Sequence, residues 1–491
     1  MDLGSVNSQF LKSRIESLYM ITNIIDILRG MYVGLPPSVK KMLSPLLVLL
    51  PAKRKYGKTY LEMREIIAAS EENKENIINY RANRLRIIFN AASSTKYYKE
   101  NFKDIDIIKD LDYQGLIQLL ARFPILTKES IKERLEDLLS VPADALDEIS
   151  TGGSSGQPLK FYLDKNRSVR EWAFIHQIWS ACGYEVGETR AVLRGVLINN
   201  VDQKPWEYDA ALSELKLSPF HLTHKNIAIF FEEIERRKIN YIHGYPSAIS
   251  ILAKHIEQNG WGYADNIKGV FLISEPVFPH QQQQMRRSFK HAKLLPFYGM
   301  SEKVAIAKEV DDSDGTYVFN PLYGITELVS ASGELITTPG EKGRIISTGL
   351  MCSGLPFIRY DTEDEAELVE PATQSNNYRL TVKNIRPRRS QEYIVGKNGE
   401  VFSMAAINIH SDAYSLIKEF QLKQEDPGLV QILVVPNDGV EKNKLNEFLE
   451  EIQQKVGSNT SFSLKLVDEI ARTARGKAKF IEQLLNLEDY Q

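Results

Sequence analysis

Between residues 165 and 300 the chain alternates short runs of strand-forming residues with helical patterns, and no other feature limits its fold as much. Strands are expected over 191–198, 241–244, 269–273 and 292–298, and helices over 230–238, 247–258 and 281–289. Strands that alternate with helices read as a parallel, helix-covered sheet. In such sheets a ligand sits beyond the carboxyl ends of the strands, so residues just after each strand are the first candidates for function.

The texture differs on either side of this core. Residues 1–135 read as mostly helical, with Ile77, Ile78, Tyr80, Leu85 and Ile88 at helical spacing. A Gly/Ser-rich break at 150–156 precedes a strand over 159–163. Short β segments over 315–319, 324–330, 333–338, 343–348 and 366–370 read as a small antiparallel β subdomain. Ile385-Arg386-Pro387-Arg388-Arg389 reads as a linker. Past it, Asn398-Gly399 joins Tyr393-Ile394-Val395 to Glu400-Val401-Phe402 in a hairpin pattern, followed by strand 430–435, helix 443–456 and strand 461–467. The expected fold class is therefore α/β. A large domain 1–385 (helical 1–135, α/β core 136–314, β subdomain 315–385) precedes a small α+β domain 386–491.

Composition excludes several function classes. Lys plus Arg total 61 and Asp plus Glu 64, a net charge of −3 that gives no whole-molecule field for nucleic acid. Two cysteines, Cys182 and Cys352, make neither a disulfide framework nor a four-thiolate zinc site and suit a reduced, cytoplasmic setting. The apolar run 46–50 is far short of the roughly 20 residues that span a bilayer. With Lys53-Arg54-Lys55 beside it, peripheral membrane contact is the most it implies, and a packed helix end with a solvated basic turn is the plainer reading. His221 and His224 have no third ligand at metal spacing and read as ordinary polar residues.

Four segments carry chemistry. Ser150-Thr151-Gly152-Gly153-Ser154-Ser155-Gly156-Gln157-Pro158 offers turning amides and hydroxyl donors to a polyphosphate, though a plain hairpin turn fits it equally well. Its Gly152-x-Ser154-x-Gly156 also matches a hydrolase nucleophile elbow, which needs a helix after the serine, whereas a strand is expected there. Phe297-Tyr298-Gly299-Met300-Ser301-Glu302 places an aromatic and a carboxylate at a strand end, suited to a base and to Mg²⁺. Arg359-Tyr360-Asp361-Thr362-Glu363-Asp364 clusters acids at a β turn, and Arg472-Thr473-Ala474-Arg475-Gly476-Lys477-Ala478-Lys479 is basic. Each taken alone has a bland reading as a solvated turn or loop.

In this order, and over nearly the whole chain, the four segments resemble the adenylate-forming (AMP-forming) acyl ligases, specifically the phenylacetate-CoA ligase branch and its CapK-like capsular polysaccharide biosynthesis subgroup. The resemblance implies an acyl-CoA-synthetase-like fold with a mobile C-terminal domain. It implies that Thr151, Gly152, Gly153, Ser154, Ser155 and Gly156 hold the β- and γ-phosphates of ATP. Ser274, Glu275 and Pro276 would line the adenine, Tyr298 would pack on it beside Gly299 and Met300, and Ser301 would contact the α-phosphate. Glu302 would carry Mg²⁺, Asp364 the ribose hydroxyls, Arg389 the nucleotide near the hinge, Glu392 the hinge acid, and Lys477 the adenylation step. The chain departs from the family pattern at Gln157, Glu363, Arg388 and Ala471, where Lys, Gly, Gly and Pro are usual.

The expected cofactors are ATP and Mg²⁺, and the expected partners a small carboxylic acid and an acyl acceptor, CoA or an amine, with no nucleic acid; a homodimer is left open. The expected reaction is adenylation with release of pyrophosphate, then acyl transfer to a thiol such as CoA, in surface or capsular polysaccharide or related biosynthesis. Transfer to an amino sugar and a non-catalytic scaffold are the alternatives.

Overall fold

A computed structural model of the chain describes residues 56–102, 111–150, 159–196, 198, 200–310, 315–387, 393–403, 416–437, 440, 442–471 and 481–490. Five helices come first: α1 Gly57–Glu72, α2 Lys74–Ser94, α3 Lys96–Asn101, α4 Tyr113–Arg122 and α5 Lys128–Arg134. The hairpin β1 Leu146–Ser150 and β2 Lys160–Asp164 leads to α6 Arg167–Trp179, then to β3 Arg190–Leu193, β4 Trp206–Asp209 and β5 Glu214–Leu217. The core continues through α7 His224–Arg236, β6 Tyr241–Gly244, α8 Pro246–Asn259, β7 Gly269–Leu272, α9 Pro279–Ser288 and β8 Lys293–Gly299. Antiparallel strands follow: β9 Ile306–Glu309, β10 Thr316–Phe319, β11 Gly324–Val329, β12 Lys342–Gly349, β13 Tyr360–Glu370 and β14 Thr381–Pro387. The C-terminal part holds the hairpin β15 Tyr393–Val395 and β16 Val401–Ser403, then β17 Ile417–Asp426, β18 Leu429–Pro436, α10 Lys442–Val456, β19 Ser461–Leu466 and β20 Ile481–Gln483.

The class is α/β, and strands β3 to β14 form one twelve-stranded sheet in the order β11-β12-β13-β14-β10-β9-β8-β7-β6-β3-β5-β4. Neighbours from β8 to β5 are parallel. Alternate residues of these short strands enter two cores. Tyr241, Phe271 and Leu295 pack with the N-terminal helices and α6, whereas Ala191, Ile242 and Val270 pack with α7, α8 and α9. Trp179 of α6 lies flat on Phe271, with centroids 4.2 Å apart. Helix starts carry the expected caps: the side chains of Asn73, Asp112, Thr127 and Thr223 each accept from a backbone amide in the first turn.

The antiparallel part expected over 315–385 is present, but as a continuation of the parallel sheet. β8 accounts for this: Lys293–Pro296 pair parallel with β7, and Phe297–Gly299 pair antiparallel with β9. The segment 333–338, expected as a strand, is a turn with a single bridge between Val329 and Leu335. The linker reading of residues 385–389 is corrected for Ile385, Arg386 and Pro387. They belong to β14, where Arg386 and Pro387 pair with Glu365 and Asp364. Pro387 is tolerated there because β10 pairs only with Thr381–Lys383, which leaves the end of β14 an edge on that side.

The C-terminal sheet has the order β19-β18-β17-β20, with α10 against it. Its hydrophobic core is continuous with that of α8, and Phe402 meets Phe220 edge-on at 5.2 Å. The Asn398-Gly399 turn forms as expected, with Gly399 at φ +88°. The large and small parts are also tied by hydrogen bonds. The Ser458 amide and hydroxyl donate to Asp202 Oδ1 at 2.8 and 2.7 Å, and the Asn459 side chain donates to the Phe220 carbonyl. His221, bonded to Ser218, sits 3.3 Å from the same Asp202 oxygen. Burial pushes Asp202 upward, but Ser458 and His221 outweigh it and leave the carboxyl below its usual range. His221 is thus a docking residue, and among the described residues no group of three His, Cys, Asp or Glu is arranged to hold a metal.

Candidate active site

A cavity of about 890 Å³ opens at the carboxyl ends of β3, β6, β7 and β8, where ligands bind in parallel sheets. Strand lengths create it. β3 ends at Leu193 rather than at 198, so Arg194, Gly195 and Val196 leave the sheet and line the opening. Gly244 permits the close approach of β6, since a Cβ there would lie 2.4 Å from the Leu193 carbonyl oxygen. Ser274, just past β7, is held at φ +64° and lines the cavity together with Gly299, Met300 and Ser301.

Ser274, Gly299, Met300 and Ser301 are the residues read from the sequence that line the cavity, whereas Tyr298, Glu302 and Asp364 form contacts on the segments next to them. Tyr298 lies one residue before the end of β8, in its antiparallel part, and its hydroxyl donates to Asp364 Oδ2 at 2.7 Å. Burial pushes the Asp364 carboxyl up to about 6; Tyr298 and Lys128 pull it down, and Glu302 and Glu363 add to the rise. Four residues beyond Tyr298, Glu302 is 6% exposed and accepts the Tyr360 hydroxyl at 2.7 Å. That bond engages Oε1, and among the described residues no other hydrogen bond or ion pair reaches the carboxylate. A single carboxylate with one oxygen open suits Mg²⁺, which is usually held by one or two carboxylates, waters and substrate phosphates. Glu275 takes a supporting position: its carboxylate accepts the Ser247 amide at 3.0 Å and hydroxyl at 3.1 Å, at the start of α8.

Glu363 explains one departure from the family pattern. It stands at φ +65°, the left-handed region that glycine adopts freely. Its side chain is clamped by Lys128 at 2.9 Å, both groups being largely buried. Lys128 arrives because Leu126 exchanges backbone hydrogen bonds with Arg359 and Asp361 of the β13 entry. Asp361, the other acid of the turn, is 4% exposed and paired with Arg344, so it does not face the cavity as a free carboxylate.

The phosphate-loop candidates Thr151, Gly152, Gly153, Ser154, Ser155 and Gly156 lie outside the described residues, as do Arg389, Glu392 and Lys477. What flanks the loop is described: Ser150 pairs with Lys160 in an antiparallel hairpin. A strand therefore follows the loop, and the nucleophile-elbow reading of Ser154 fails.

Sequence reasoning missed the cavity's inner walls. Trp172, Trp179, Arg194, His243 and Tyr245 line it from α6, the β3 exit, β6 and the α8 entry. Nothing at motif spacing marks them. A hint was available in Tyr241-Ile242-His243-Gly244, since a histidine inside a buried strand needs a reason. Burial and the neighbouring Arg194 and Arg190 hold His243 well below the usual histidine range, so it is neutral.

Comparison with known proteins adds the following. Residues 394–483 match the CapK C-terminal domain family. The chain is similar to Protein CapK from Staphylococcus aureus, 23% identical over 446 residues that cover 87% of this chain and 93% of that protein. Among solved structures it is similar to 2-hydroxyisobutyryl-CoA ligase in the postadenylation state with R3-HIB-AMP, at 17% identity, TM-score 0.47, 86% of this chain and 91% of that one. The same ligase with 2-HIB-AMP and CoA in the thioesterification state is similar at 17% identity, TM-score 0.47, 84% and 90% coverage. Among the described residues no helix is long and apolar enough to cross a membrane.

Proposed function

We propose that this chain, whose residues 394–483 belong to the CapK C-terminal domain family, adenylates a carboxylic acid with ATP, releases pyrophosphate, and passes the acyl group to an acceptor, CoA or an amine. The observation that carries the reading is the meeting of two distant motifs beside the cavity: Tyr298 with Asp364, and Glu302 with Tyr360, each at 2.7 Å. The setting is cytoplasmic and the pathway surface or capsular polysaccharide biosynthesis.

In this mechanism the acid occupies the cavity and its carboxylate attacks the α-phosphorus of ATP. The new bond joins a carboxylate oxygen to the α-phosphorus; the bond from that phosphorus to the oxygen bridging to the β-phosphate breaks, and pyrophosphate leaves with that electron pair. Asp364 accepts from the ribose hydroxyls, and Tyr298 fixes that carboxylate while presenting its ring to the adenine. Ser301 donates toward the α-phosphate, and the amides and hydroxyls of residues 151–156 hold the departing phosphates. Mg²⁺, held by Glu302, would supply positive charge to the phosphates as negative charge builds up. Lys477 adds a second cation from the small domain, and positioning plus charge account for the rate. In the second half-reaction a thiol or amine attacks the acyl carbon and AMP leaves.

The clamp on Glu363 counts against a non-catalytic scaffold. The residue that replaces glycine keeps the left-handed conformation and gains the Lys128 ion pair, so the turn that presents Asp364 is retained. Pyrophosphate release with ATP and a panel of carboxylic acids tests the reading. Release that depends on one acid class supports it, and none with any acid overturns it. Mass spectrometry of products formed with CoA or with amino sugars assigns the acceptor.

Asp364→Asn gives a pH-dependent test. The folded-state pKa of about 6 exceeds the ordinary 3.8, so the protonated carboxyl favours the folded state, and stability falls as pH rises from about 4 through 6. The amide removes that loss and should raise stability above pH 7 by on the order of 2 kcal/mol. ATP affinity runs the other way. In the native protein it weakens as pH falls through about 6, because the ribose acceptor protonates; in the variant KM for ATP rises roughly ten- to a hundredfold with a smaller change in kcat. Thermal melts and ATP kinetics from pH 5 to 8 check both, and a KM that does not move removes Asp364 from the nucleotide site.

The small domain pivots near residues 389–392 between the half-reactions, and the Asp202–Ser458 contact is the latch of the docked arrangement. Asp202→Ala removes the acceptor of both Ser458 bonds. Limited proteolysis at 388–392 should accelerate about tenfold, equivalent to about 1.4 kcal/mol of docking free energy. An unchanged rate would mean that docking does not rely on this contact.

A further inference from the structure

The cavity's charges are not evenly compensated. Of the charged side chains that line it, Glu148 pairs with Lys160 at 2.7 Å, Arg167 with Asp147, and Glu171 with Lys303 at 2.8 Å. Arg194 is the exception. Its carboxylate neighbour, Glu214 Oε1, is 3.8 Å away and already bonded to Arg190 at 2.6 Å, so two guanidinium groups share one carboxylate. Polar atoms at the same end lack partners among the described residues: Nε of Arg194, Nε of Arg190, Oε2 of Glu214, and Nδ1 of His243, whose side chain is enclosed at 2% exposure. A buried donor left unbonded costs free energy, and here one cation is in excess as well.

The unbalanced end is far from the reacting carboxylate. Arg194 follows β3, whereas Ser301 follows β8, and β7 and β6 lie between. Three strand spacings amount to roughly 14 Å, too far for Arg194 to act on a carboxylate held at Ser301. Between the two ends Trp172 and Phe297 supply flat apolar walls, with Trp179, stacked on Phe271, behind them. We propose that the acid this cavity takes is a ring acid carrying a second anionic group at its far end, which pairs with Arg194 and is flanked by His243. This rests on the reading of the cavity as the acyl site and specifies its substrate class.

The experiment measures binding directly, by calorimetry on the full chain, so that it needs no turnover. The probes are matched pairs: benzoate against terephthalate, and cinnamate against 4-carboxycinnamate. In at least one pair the dicarboxylate should bind ten times or more tighter than its monoacid. Arg194→Gln should abolish that preference while leaving monoacid affinity within about twofold, which also reports a folded cavity, and Arg194→Lys should restore part of it. Equal binding within both pairs, no binding of either, or an Arg194→Gln variant that weakens both members alike would overturn the proposal. A dicarboxylate that binds with this preference but supports no pyrophosphate release would leave it standing and count against adenylation instead.

Discussion

Glu302→Gln should reduce acid-dependent pyrophosphate release about a hundredfold while leaving the protein folded. The substitution keeps shape and volume, and the new amide oxygen can still accept the Tyr360 hydroxyl that bonds Oε1 at 2.7 Å. What it removes is one negative charge at a position 6% exposed. Burying a charge is costly, so stability should hold or rise, and damage confined to the reaction would mark the charge as functional. A neutral amide is a much poorer ligand for a hard divalent cation, so the Mg²⁺ concentration for half-maximal rate should climb well above that of the native protein. Tyr360→Phe supplies the comparison. It frees the carboxylate from its hydroxyl partner but keeps the charge, and losses around supporting partners of a metal ligand run at about 10–100-fold. Full activity of Glu302→Gln at ordinary Mg²⁺ would sink the metal role and leave Glu302 as the buried partner of Tyr360.

The parts legible in the sequence were those set by local pattern. The run Tyr241–Gly244 forms with the ends that the sequence suggested, and the hairpin about Asn398-Gly399 forms with its second strand shifted by one residue, to Val401–Ser403. Strands β1, β4, β5, β9, β14, β17 and β20 were missed: five run three to five residues, β14, Thr381–Pro387, is more than half basic and polar and ends in proline, and β17, Ile417–Asp426, is mostly charged and polar. Such runs become strands only because a neighbour offers its edge. The candidate site's geometry was legible where its residues follow a strand or sit in a tight turn: Ser274 lines the cavity, and Tyr298 and Glu302 meet Asp364 and Tyr360. It was not legible where function depends on pairs distant along the chain. Lys128 reaches Glu363 across 235 positions, and no local signal connects them. Arg194 and His243 come from neighbouring strands, and their significance lies in the partners they lack, which only the folded chain reveals.

Lys477→Ala should lower adenylation by a factor of hundreds while leaving ATP binding nearly unchanged. Lys477 lies four positions before Ile481, the first residue of β20, and β20 runs parallel to β17 in the small domain's sheet. On the proposed reading a lysine at that place moves with the small domain and meets the α-phosphate when that domain closes. Its charge therefore acts mainly in the transition state, where loss of a single preorganised donor costs about 2.7–4 kcal/mol, or 10²–10³ in rate. A group engaged only there lowers kcat and kcat/KM together. The two half-reactions separate this role from a general loss of folding: the variant given preformed acyl-AMP and acceptor should transfer the acyl group at close to the native rate, because that step proceeds with the lysine withdrawn. Equal damage to both halves would point to misfolding of the small domain. Undiminished pyrophosphate release would remove Lys477 from the reaction and make Lys479, on the same basic segment, the next residue to replace.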